Sequence, residues 1–80
     1  MIMKKITRFK PGEIALLIHH IGIDAKGKLA EIYNTERGGY VINIFSDNDG
    51  YVADDIHLKK IRNQKLARKK FEMQLVAEAL

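Results

Sequence analysis

Apolar and polar residues follow two rhythms along this chain, and the change falls near residue 60. Before it, short apolar runs rich in β-branched and aromatic residues are cut by turn-forming residues. Pro11-Gly12 marks a turn, and Glu13–His20 behind it has the length of a strand. A loop from Gly22 to Gly27 precedes Lys28–Asn34, a second strand whose alternation is imperfect. Thr35–Gly39 is the size of a hairpin connection, and Tyr40–Phe45 after it has the strongest strand composition in the chain. Ser46–Gly50 reads as a turn and Tyr51–Ala53 as a short partner strand. Asp54–Leu58 reads as one tight helical turn capped by Asp54 or Asp55, and Lys59–Arg62 as a last short strand.

After that the rhythm is helical. Asn63 is a good N-cap, and Gln64–Leu80 contains no Gly, Pro or Thr and is dominated by strong helix formers. Its apolar residues form two stripes. Ala67, Phe71, Leu75 and Ala79 recur every four positions; Leu66, Met73, Ala77 and Leu80 lie on another side, with Val76 near both. One stripe can cover the open mouth of a small barrel built from the strands, which leaves the other for a partner. A homodimer through the helix is the expectation, with Phe71, Met73, Leu75, Val76 and Leu80 as the candidate interface.

Composition narrows the function more by exclusion than by assertion. Eighty residues, 46% of them hydrophobic, make one small globular domain rather than a disordered chain. With no cysteine there is no disulfide framework, thiolate nucleophile or zinc ribbon. The longest apolar run, Ile14–Ile18, is far short of the ~20 residues of a membrane span. Lys4 and Lys5 are followed by no signal-peptide core. The expectation is a cytoplasmic protein of bacterial or phage type, with no membrane partner.

The net charge of +4 is distributed very unevenly. Residues 1–58 hold seven bases against eight acids, whereas 59–70 hold seven bases and no acid. Lys59, Lys60, Arg62, Lys65, Arg68, Lys69 and Lys70 therefore supply the whole positive excess, and clustered charge of one sign attracts polyanions. The helix dipole prefers acids first and bases last, by ~0.3–1 kcal/mol per charge, and this helix has the reverse. Intrinsic helix stability does not account for the placement. Phosphate contact is one explanation; pairing with the acidic 47–55 region, or solubility alone, is the other.

Candidate catalytic or metal chemistry is thin. His19 and His20 are adjacent, so on a strand one would face inward and the other solvent, and the pair cannot chelate one ion. Asp54, Asp55 and His57 fall within one turn but are explained by capping. Asp47-Asn48-Asp49-Gly50 lacks the first and last ligands of a calcium loop, since Phe45 and Ile56 stand there. Ser46, the sole serine, has no base beside it. No cofactor, no metal and no enzymatic activity are expected.

The order of turns and strands resembles the SH3-like barrel group, which includes KOW- and Tudor-type domains and small phage or bacterial proteins. The residues that carry the likeness are Phe9-Lys10-Pro11-Gly12-Glu13-Ile14-Ala15, Gly27–Ile32, Tyr40-Val41-Ile42, Gly50-Tyr51-Val52 and Asp55–Leu58. They cover residues 9–62, with Ile23-Asp24 where the KOW pattern has Lys-Gly. The resemblance implies a mainly β fold: a small five-stranded antiparallel barrel over 1–62, with a C-terminal helix over 63–80 packed on it or on a partner. Barrels of this group are mostly binding modules, and a fold does not choose its ligand. The expected function is a non-enzymatic module engaging nucleic acid or a nucleoprotein through the seven bases of 59–70. The alternative is a phage-type inhibitor or adaptor that docks on a host protein.

Overall fold

The computed structural model describes residues 8–36, 38–46 and 50–79. Five strands, β1 (Ile14–Leu17), β2 (Leu29–Glu36), β3 (Gly39–Asn43), β4 (Tyr51–Ala53) and β5 (Leu58–Lys60), form one antiparallel sheet in the order β4-β3-β2-β1-β5. A 3-10 turn, Asp55–His57, links β4 to β5, and one helix, α1 (Gln64–Ala79), follows. The mainly β fold with a C-terminal helix is as expected. Leu80 lies outside the described residues.

Local chemistry accounts for the turns. The Glu13 N–H donates to Lys10 O at 3.0 Å and Gly12 sits at φ +91°, so Lys10–Glu13 is a type II turn that favours glycine third. The Glu13 carboxylate then accepts from the Lys10 N–H and from Lys60 Nζ, tying this turn to β5. Asn63 caps α1, its Oδ1 accepting from the Leu66 N–H at 3.1 Å. The imperfect alternation of the second strand has a cause as well. Ile32 pairs with Ile42 but Asn34 pairs with Val41, so Tyr33 is the extra residue of a β-bulge.

Alternation sorts the sheet into two faces. Ala15, Leu17, Ala30, Ile32, Tyr40, Ile42, Ala53 and Leu58 point to the inner face, where Phe9, Ala25 and Ile44 complete a buried cluster. Phe9 and Tyr40 meet edge to face at 5.3 Å. The Tyr40 hydroxyl donates to Asp55 Oδ1 at 2.7 Å and accepts from the Arg8 N–H at 3.1 Å. Burial, and then the bond to Asp55, raise its pKa above the ordinary 10.0.

In a flat sheet the two edge strands would stand ~19 Å apart, four strand spacings. Residues 54–57, three of them in a helical turn, join β4 to β5, so the sheet has to curl. It does not close. β4 and β5 are the two ends of the ladder, which corrects the expectation of a closed barrel to an open sheet. The turn between them directs its own groups elsewhere: the His57 N–H donates to Asp54 O, and His57 O accepts from the Ile18 N–H of the segment after β1.

The helix lies on the outer face, across β1 and β2. Ala67 and Phe71 are buried there with Ile14, flanked by Leu29, Ile61 and Leu75. This second core is small, and polar clamps reinforce it. The Gln64 amide accepts from the Ile14 N–H at 2.7 Å and donates to Ile14 O and Ile61 O, both at 2.8 Å. Gln74 repeats the arrangement on Leu29, accepting from its N–H at 2.9 Å and donating to its carbonyl at 2.8 Å. Each side chain acts as a surrogate peptide group where the strand ladder runs out.

Candidate nucleic-acid interface

The seven bases of 59–70 are divided by the fold into two sets. Lys60, on β5, is drawn to Glu13 at 2.8 Å and lies 5.1 Å from the Phe9 ring centroid. Arg68 binds Glu31 Oε2 at 2.9 Å and Gly12 O at 2.5 Å. These two cations hold the helix and the edge strand to the sheet. Their acidic partners are on β2 and before β1, not Asp54 or Asp55; Asp47 and Asp49 of the acidic 47–55 region lie outside the described residues.

Lys59, Arg62, Lys65, Lys69 and Lys70 are exposed, and none of them forms an ion pair among the described residues. Lys59 sits opposite Leu16 on the outer face, and Arg62 occupies the link into the helix. Lys65 and Lys69 stand four apart on the solvent side of α1, with Lys70 next to them. The first helical turn holds no acid and the last no base, so the charge order opposes the dipole in the folded protein too.

The stripes of α1 separate as their spacing implies, with a correction to the candidate interface. Phe71 is 2% exposed and Leu75 packs against the same small core, so both face the sheet. Among the described residues of α1, Leu66, Met73 and Val76 are the large apolar side chains left outward, at 47%, 66% and 62% exposure, and Ala77 is exposed with them. The sequence put Phe71 and Leu75 with them because a helical stripe shows which residues share a side, not which side meets the sheet.

Other candidates resolve into structural roles. Both His19 and His20 are exposed, contrary to the one-in, one-out expectation, because β1 ends at Leu17 and alternation stops there. His20 Nδ1 lies 3.3 Å from Asp24, and His19 packs edge to face on His57. His57 Nδ1 accepts from the Asp54 N–H at 2.9 Å, and Asp55 accepts from Tyr40. Among the described residues no group of three His, Cys, Asp or Glu could hold a metal ion. No helix among them is long and apolar enough to cross a membrane.

Aromatic placement differs along the sheet. Tyr40 is buried, Tyr51 packs against Phe45 at 5.8 Å, and Tyr33 is 66% exposed on the outer face. Tyr33, Val41, Asn43 and Gly50 line a groove on that face beside the strip that α1 covers. A scan against protein-family models and searches of curated proteins and of solved structures find no match.

Proposed function

We propose that this protein is a non-enzymatic binding module that engages nucleic acid or a nucleoprotein through Lys59, Arg62, Lys65, Lys69 and Lys70. The observation that carries the reading is the division of the basic segment. Lys60 and Arg68 are engaged by Glu13 and Glu31, while five exposed cations have no acidic neighbour bound to them among the described residues. Five like charges within twelve residues repel one another, and a polyanion relieves that repulsion by releasing its own counterions. Assignment of the curled sheet to the SH3-like group belongs to the same proposal and rests on the sequence motifs between Phe9 and Leu58.

Salt-dependent binding to a mixed-sequence oligonucleotide tests it. The expected result is tight binding at low salt with a steep loss as salt rises, each phosphate contact adding about 0.7–0.9 to the log–log slope. Lys65→Glu with Lys69→Glu should abolish binding without altering the melting temperature, since neither side chain bonds to the fold. Unchanged binding by that double variant, or no binding by the wild type at low salt, rejects the reading.

A second reading, self-association, is favoured by the outward Leu66, Met73 and Val76. An antiparallel pair of α1 helices would bury them, and it would also set the basic ends of two copies on opposite flanks. Sedimentation at micromolar concentration should then show a dimer that Met73→Asp dissociates; a monomer throughout rejects this second reading.

A further inference from the structure

The outer face of the sheet is only half covered. Helix α1 lies over Ile14, Leu29 and Glu31, while Tyr33, Val41 and Val52 on the same face remain without a helix above them. Tyr33 and Val52 are 66% and 68% exposed, and Val52 sits directly opposite Val41 across the β3–β4 pair. Tyr33 follows the inward-facing Ile32 and so faces outward, and the bulge brings Asn34 to the same face, opposite Val41. Asn43 makes no side-chain hydrogen bond among the described residues, leaving its amide donors and acceptor open to the groove. Gly50 forms the wall, where an added Cβ would fall 2.9 Å from Val41 Cγ1; a side chain there would press on the groove's apolar floor.

We infer that this groove is a base-stacking subsite for an unpaired nucleobase of a single-stranded nucleic acid. The inference rests on the polyanion reading above and adds to it the class of nucleic acid. Charge complementarity selects the occupant. Asn43 pairs across the sheet with Glu31, and Glu31 is the carboxylate that Arg68 holds. Arg68 therefore removes the negative charge that would repel a phosphate entering beside Tyr33. Lys65, one turn before Arg68 on the helix, and Lys69 next to it extend positive potential from the groove's rim along α1. An exposed ring, an open amide and cations along one flank are what a strand with splayed bases uses, whereas a stacked duplex presents no base face to the ring. A site of this kind spans about 4–16 nucleotides.

The experiment compares a twelve-nucleotide thymidine strand with an abasic strand of the same length, which keeps every phosphate and lacks every base. Binding is read by fluorescence anisotropy at low salt for the wild type, Tyr33→Ala and Tyr33→Phe, each checked for an unchanged melting temperature. The wild type should prefer the thymidine strand, and Tyr33→Ala should lose about 5- to 150-fold on that strand alone, the range for one stacked base. Tyr33→Phe should keep the preference, because the ring does the stacking. Equal binding of both strands by the wild type, or an equal loss on both in Tyr33→Ala, overturns the stacking subsite and leaves the polyanion reading standing. Binding of neither strand by the wild type overturns both.

Discussion

The two halves of the outer face are built from similar material and end differently. On the β1–β2 half, Ile14 and Leu29 are covered by α1; on the β3–β4 half, Val41 and Val52 face outward with Tyr33 beside them. Apolar content does not explain which half the helix chose. The covered half has backbone groups at its margins that lack a ladder partner, on Ile14 and Leu29, and Gln64 and Gln74 satisfy them. It also has Glu31 and Lys28, which pair with Arg68 and Glu78 of the helix. The helix is placed by directional polar contacts and anchored by one large apolar side chain, Phe71.

Removing that anchor should break the comparison most. Phe71→Ala is expected to cost about 3–5 kcal/mol of unfolding free energy, the range for a large buried ring, measured by denaturant titration. Tyr33→Ala, on the open half, should stay within about 0.5 kcal/mol of the wild type. Comparable losses would mean the open half is structurally required.

Next come the clamps. Gln64→Ala leaves the Ile14 N–H and carbonyl without their partner, and Gln74→Ala does the same at Leu29. Each should cost about 1–3 kcal/mol, with faster amide hydrogen exchange at Ile14 or Leu29 respectively and little change in the inner cluster. A uniform acceleration across all strands would show that the helix and the inner core unfold as one unit.

The inner face offers a smaller test. The pKa of Tyr40 is raised by burial and by its bond to Asp55, so the folded state favours the protonated phenol. Its contribution to stability is full below pH 10 and declines as pH rises through the higher folded value. Tyr40→Phe should cost about 1 kcal/mol at neutral pH and flatten the alkaline decline, read from melting temperatures between pH 8 and pH 11.

The smallest effect is expected at the ion pairs. Arg68 and Glu31 are 42% and 28% exposed at their side chains, and such pairs contribute about 0–1 kcal/mol. Arg68→Gln should hardly change the melting temperature at physiological salt. Reversal to Glu would instead set two carboxylates together beneath the helix, which is why Lys65 and Lys69 are the cleaner positions for reversing charge.

The local elements were written in the sequence. Pro11-Gly12 dictates its turn because proline fixes one torsion and glycine accepts the positive one. Asn63 dictates where α1 starts, and Tyr51–Ala53 emerges as a strand with the bounds its composition implied. Each of these rests on forces acting within a few residues. The basic cluster was equally legible, since charge is additive along a sequence.

Tertiary structure alone decided the rest. Whether Arg68 is a free cation or a structural one depends on Glu31, thirty-seven positions away, reaching it across the β2–α1 contact. Gln74 reads in the sequence as an interruption between apolar stripes, yet becomes a clamp once Leu29 and Ile44 lie beneath it. Asn34 faces outward, opposite Val41, only because its strand slips register against β3. Each depends on a partner distant in the chain, and a pattern of residue types carries no record of which distant group a side chain will meet.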